Sequence, residues 1–213
     1  MVIREKRLEI LHDHYKETFA RQQKVESSRD RLFYAVILLY GLLSFEVGYP
    51  AGFNGAFGKL TFAGIEVSPQ SLPLPALLDV TWVLTLAVGL RYCQLSVHVN
   101  RQYDYIHSLE DVISPMVGGG MIYRREGQAY LQKYPALLNV AWIAYVFIFP
   151  VIVLGATIAL LVWEWRRLPY AWGHLAFDTA IGVVIIGFFT LYQVVPSAAK
   201  QIKRLAAWYN NFR

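Results

Sequence analysis

The sequence predicts an all-α membrane protein: a four-transmembrane-helix bundle with cytoplasmic helical extensions and a short external β-hairpin. Four apolar stretches, at about residues 32–50, 75–97, 136–163 and 170–195, approach or exceed the ~20 residues that a helix needs to cross a ~30 Å hydrocarbon layer. Composition agrees. Hydrophobic residues make up 56% of the chain and charged residues only 16%, with a mean hydropathy of +0.36, whereas a soluble domain carries about 25% charge. The third observation is where the charge sits. Taking the spans in turn, 17 of the 20 Lys and Arg residues fall in segments 1–31, 91–135 and 196–213, which four crossings put on one side. The positive-inside rule makes that side the cytoplasm, holding both termini, in a multi-pass protein of the plasma (inner) membrane.

Residues 1–31 are densely charged with no apolar run of the kind a cleaved signal carries, so the first span is expected to be its own anchor. This segment reads as a cytoplasmic amphipathic helix. Leu8, Leu11, Tyr15 and Phe19 recur at three- and four-residue intervals, and no Gly or Pro interrupts from Arg4 to Tyr40. A weak point lies at residues 26–30, where Ser27 and Ser28 could let the helix bend. Its apolar stripe either packs on its own protein or docks a partner.

The membrane domain covers residues 32–195, with an external loop at 48–74. That loop carries Gly48, Gly52, Gly55 and Gly58, and then Lys59–Phe62 and Ile65–Ser68 flank Ala63-Gly64 as a hairpin. Pro75 suits the first turn of the second span. Beyond the bilayer that helix continues as a cytoplasmic region at 98–135. Tyr92, Leu95, Val99, Ile106, Leu109 and Ile113 keep helix-seam spacing until Ser114-Pro115 ends it. Two cytoplasmic helices with one apolar stripe each are expected to pack, within one chain or between subunits. Gly118-Gly119-Gly120 is a connector, without the Gly-Lys-Ser/Thr continuation of a phosphate-binding loop. Arg124, Arg125 and the tyrosines 123, 130 and 134 suggest a short interfacial helix before Pro135. Pro150 is expected to kink the third span. Residues 196–213 form a basic amphipathic tail in which Ile202, Leu205, Tyr209 and Phe212 face away from Lys200, Lys203 and Arg204. Ser44 and Gly48, Gly155 and Ala159, and Ala176 and Ala180 are small-xxx-small pairs that permit close helix contacts.

The most informative chemistry is acidic. Glu46 lies about 21 Å up the first span, Asp79 about 6 Å and Asp178 about 12 Å below the outer face. Glu164 and His174 join them at a similar level, with Arg166 and Arg167 as the nearby cations. Each charge at depth costs at least ~2.5–3.5 kcal/mol, so such groups face a bundle interior or a water-filled cavity. Two readings follow: a cation- or proton-responsive vestibule, or protonated carboxyls that hydrogen-bond between helices. Arg91 and His98 read as inner-boundary anchors.

Other functional classes find little support. His12 and His14 stand about 200° apart on a helix and cannot share one metal, so no metal or cofactor is expected. There is no serine nucleophile with a base and no intramembrane histidine pair for haem, so no enzymatic activity is expected. The single cysteine, Cys93, reads as a small buried hydrophobe. No basic stripe with interleaved aromatics points to nucleic acid. The bilayer, further copies of the chain and a cytoplasmic protein are the expected partners. A charged helix entering a four-span unit with a cytoplasmic helical middle resembles the plan of small uncharacterised bacterial membrane proteins, some associated with phage defence. The function expected is an oligomeric membrane protein that alters permeability or conducts ions, or else a membrane sensor or scaffold that recruits a soluble partner.

Overall fold

The structure, a computed structural model, describes residues 2–49, 60–62, 65–67, 74–117, 144–167 and 172–210. Its helices are α1 (Val2–Gly48), α2 (Leu74–Ile113), α3 (Phe149–Arg167) and α4 (Trp172–Asn210). All four are long and apolar enough to cross a membrane. The connector at 118–120, the interfacial segment at 121–135 and the hairpin turn at 63–64 lie outside the described residues.

Local chemistry accounts for the helix ends. The Tyr49 amide donates to the Phe45 carbonyl at 2.9 Å, closing α1 just before Pro50, whose ring disfavours helical backbone at the preceding residue. Pro75 takes the first turn of α2, where its missing N–H costs nothing. Past Ile113 the chain tightens into a 3-10 turn, Ser114–Val117, where Pro115 has no N–H to continue the α-helical ladder. One proline expectation needs correction. Pro150 stands in the first turn of α3, directly after a π-helical turn at Ala144–Ile148, and does not interrupt that helix. Helix α4 runs through Pro196 to Asn210. Nor does α1 break at residues 26–30. Ser27 and Ser28 donate back to the Lys24 carbonyl at 3.1 and 2.9 Å, which lets the helix continue.

The fold class also changes in one respect. It is an all-helical four-helix bundle, and no β component enters it. Leu60–Phe62 pairs antiparallel with Ile65–Val67, Leu60 opposite Val67, but these three-residue segments pair only with each other. A two-stranded ribbon of that length forms no layer, so the hairpin expected as part of the fold has no part in its architecture.

The chain divides into two compact units, residues 32–93 with 146–213 and residues 1–31 with 94–145. In the first, α1 to α4 bury one seam each. Val36, Tyr40, Leu43 and Val47 line up on α1 at the spacing of a coiled-coil seam, against Leu78 and Trp82 of α2, Val153 and Leu160 of α3, and Ile181, Ile185 and Phe189 of α4. Aromatic rings knit the helices further: Phe33 to Phe149 at 4.5 Å between centroids, Phe149 to Tyr92 at 5.3 Å, and Tyr92 stacked on Phe189 at 6.4 Å.

The outer surface of this unit is apolar too. Leu38 is 73% exposed, and Val80, Val151, Ile152, Val183 and Leu191 are exposed with it, so every helix turns large hydrophobes outward. Such a surface is consistent with residence in a membrane. The small-xxx-small pairs belong to this outer face, where Gly48 and Gly155 meet nothing within 4 Å, rather than to contacts inside the bundle. The close approach occurs instead at Gly182 of α4. A Cβ there would lie 2.6 Å from Leu161 Cδ1 of α3.

One polar bond crosses the core away from the acids. The Thr157 hydroxyl donates its proton to the Val153 carbonyl at 2.8 Å, so in its 2.6 Å contact with Tyr40 it must accept from the phenol. Tyr40→Phe is expected to cost about 0.5–1.5 kcal/mol in detergent unfolding. Tyr40→Phe combined with Thr157→Val is expected to cost less than the sum, since no hydroxyl is then left without its partner.

In the second unit the early part of α1 lies antiparallel to the late part of α2. Tyr15 donates to Glu110 at 3.0 Å, and Tyr103 donates to Glu26 at 2.8 Å. Val99, Ile106, Leu109 and Ile113 are buried on α2; Leu8, Leu11, Tyr15, Phe19 and Leu95 are half-buried.

Candidate functional site

The seams that form the bundle carry one carboxyl per helix at corresponding places. Glu46 follows Leu43 by three residues, Asp79 precedes Trp82 by three, Glu164 follows Leu160 by four, and Asp178 precedes Ile181 by three. Each acid thus occupies a core-facing position that helical periodicity would otherwise give to an aliphatic residue. Glu46 is 0% exposed and Glu164 and Asp178 are 1% exposed, while Asp79 is half-buried.

The four groups form a single cluster. Glu46 interacts electrostatically with Glu164, Glu164 with Asp79, and Asp178 with all three. Neutral donors from α2 hold two of them. Trp82 Nε1 donates to Glu164 Oε1 at 2.9 Å, and Thr81 Oγ1 lies 3.2 Å from Glu46 Oε1. Thr81 also contacts the Leu77 carbonyl at 3.0 Å. With one hydroxyl proton, Thr81 satisfies both contacts at once only when Glu46 is the donor in its acid form. His174 Nδ1 of α4 lies 2.7 Å from Asp79 Oδ2.

Asp178 differs from the others. Among the described residues neither of its oxygens has a donor, and Glu46 Oε2 and Asp79 Oδ1 are also without one. The Asp79 carboxyl lies within hydrogen-bonding reach of Asp178, and that bond exists only when one of the pair carries a proton. His174 is the only ion-pair partner within 4 Å of any of the four acids among the described residues. Arg166 is exposed, and the Arg167 side chain lies outside the described residues.

Four ionised carboxylates at this depth would cost on the order of 10 kcal/mol on insertion scales before their mutual repulsion, as much as the whole stability of a typical domain. Protons, or a cation in their place, would offset that cost. No set of three or more His, Cys, Asp or Glu side chains converges tightly enough to ligate a metal directly among the described residues. A cation here would keep part of its water shell. His12 and His14 likewise form no metal set, and Cys93 is buried and free.

The sequence identified all five titratable groups of this cluster, and the structure brings them together. It did not identify Thr81 and Trp82. A tryptophan deep in an apolar span needs an acceptor for its indole N–H, and that signal pointed to a buried acid on a neighbouring helix. It also missed two polar residues buried in the second unit, Gln22, which donates to Glu26 at 3.3 Å, and Glu110, which accepts from Tyr15. Arg91 and His98 are both exposed.

No family model, curated protein or solved structure matches this chain.

Proposed function

We propose that this protein is an oligomeric integral membrane protein that alters the permeability of its membrane to cations, with the carboxyl cluster as its proton- or cation-responsive element. The observation that carries this reading is Asp178. It is buried to 1% exposure, without a hydroxyl or N–H donor at either oxygen among the described residues, and accompanied by three further carboxyls. A hydrogen-bonded structural acid gains its stability from its donors. An acid without them is an incomplete site that a proton or a partly hydrated cation completes. The exposed small-residue faces of α3 and α4, Gly155 with Ala159 and Ala176 with Ala180, give further copies a place to approach closely. The 17-to-3 charge asymmetry favours both termini in the cytoplasm of a bacterial inner membrane.

Cation flux into liposomes tests this. Asp178→Asn and Glu46→Gln are expected to lower flux at least tenfold while leaving assembly intact, and Glu66→Gln is expected to change nothing. Acidification is expected to reduce wild-type flux, because Glu46, Asp79, Glu164 and Asp178, with His174 against Asp79, face one another and a proton competes with the cation for them. No flux from correctly assembled wild type would overturn the permeability reading.

A second reading rests on the other unit. Gln22 and Glu110 are buried there, and α1 and α2 are bonded through Tyr15 and Tyr103, a degree of order beyond what an anchor requires. In this reading the chain is a membrane sensor or scaffold whose cytoplasmic helices recruit a soluble protein, as in bacterial defence. Replacing the exposed Ile10 by Ser should abolish recruitment without changing flux in liposomes.

A further inference from the structure

We infer that the cleft between the early part of α1 and the late part of α2 binds a phosphate-bearing ligand. The cleft has a volume of about 530 Å³, open to solvent, and both helices line it within one compact unit. Arg21 and His14 come from α1, Arg101 and His98 from α2, and Glu17 is the one acid on its wall. Two guanidinium groups, one from each helix, line it beside two imidazoles. Among the described residues neither arginine forms an ion pair, although Glu17 stands four residues before Arg21, at the spacing that favours one.

Guanidinium is the side chain whose planar donors match phosphate oxygens two at a time. Arg21 and Arg101 grip the anion from opposite sides, and His98 adds a neutral or charged donor. His14 is held by its 2.8 Å contact with the Tyr105 hydroxyl, which fixes one ring nitrogen and the orientation of the other. The cleft has room for more than a bare phosphate ion. A soluble phosphate ester and the headgroup of an anionic phospholipid both satisfy this chemistry. Chain position supports the second, because His98 and Arg101 follow the apolar stretch of α2 within the same helix. The inference does not depend on the permeability reading, since it involves neither the carboxyl cluster nor flux.

The test uses the full chain in two arms. In detergent, inorganic phosphate is titrated against chloride at matched ionic strength, and saturable binding is followed by phosphorus NMR line broadening and by thermal stabilisation. In nanodiscs of phosphatidylcholine with or without phosphatidylglycerol, retained lipid is counted by native mass spectrometry. Arg21→Gln and Arg101→Gln are each expected to weaken binding about tenfold in the arm that responds, Glu17→Gln to strengthen it, and Lys16→Gln, outside the cleft, to leave it unchanged. Both arginines are exposed, so the variants should fold, and unchanged helical circular dichroism confirms that they do. Response in the detergent arm alone supports a soluble phosphate-bearing ligand, response in the nanodisc arm alone supports a lipid headgroup, and response in both supports a site for the phosphate group they share. Wild type that binds neither probe better than the Arg21→Gln, Arg101→Gln double variant would overturn the inference.

Discussion

Trp82→Ala is expected to destabilise the bundle by about 3–5 kcal/mol, the largest effect of any single substitution considered for this chain. Trp82 is completely buried where α2 meets its neighbours, so truncation leaves a cavity that the surrounding helices fill only in part. It also removes the donor to Glu164, leaving a buried carboxyl oxygen without its 2.9 Å partner. Trp82→Phe separates these contributions, since it retains most of the volume and loses only the N–H, at about 1–3 kcal/mol. Thermal unfolding of both variants in detergent measures the difference. Equal losses for Ala and Phe would show that the hydrogen bond dominates and the packing contributes little.

The second large effect is at Gly182. A Cβ there would stand 2.6 Å from Leu161 Cδ1 and 3.3 Å from its Cγ, so Gly182→Ala forces Leu161 to move or the helices to separate, at about 1–3 kcal/mol. Leu161 ends in a flexible isobutyl group, which makes the pair a direct test of complementary volume. Leu161→Ala alone is expected to cost about 2–5 kcal/mol through the cavity it leaves. In the double variant the new methyl enters that cavity, and the combined loss is expected to fall short of the sum by about 0.5–3 kcal/mol. Unfolding of the four proteins in one detergent gives the cycle. Additive losses would mean that α3 and α4 do not pack through these two residues.

Gly182 also shows where sequence pattern reached its limit. Four helices were legible from the lengths of the apolar stretches, because satisfying the backbone in lipid leaves the chain few alternatives. Which face of each helix turns inward was not legible from small residues. Gly155, Ala159, Ala176 and Ala180 fit a small-xxx-small pattern and face outward, whereas Gly182, pressed against Leu161, belongs to no such pattern and Gly89, against Phe189, follows the buried Thr85 by four residues. In lipid both faces of a span are apolar, so hydrophobic periodicity loses the contrast that fixes orientation in a soluble helix. The acids escape this limit. Carboxyls cannot face hydrocarbon cheaply, so Glu46, Asp79, Glu164 and Asp178 marked the inward face of each helix from sequence alone. Their neutral partners Thr81 and Trp82 are compatible with either face and became visible only in three dimensions. Pro150 was read too literally: it stands in the first turn of a helix, since the effect of proline depends on its distance from the helix end.

Placing one acid on each of four helices has a consequence for how the chain is made. A span bearing a single carboxyl still partitions into the bilayer, because its ~20 apolar residues outweigh a cost of about 2.5–3.5 kcal/mol, whereas a span bearing all four would not. Each helix can therefore leave the insertion machinery on its own. None, however, is comfortable in hydrocarbon until the others arrive, and a chain that stops after two or three crossings retains acids with no companions. Completing the bundle would therefore relieve all four acids at once, a drive toward assembly that no single span has by itself.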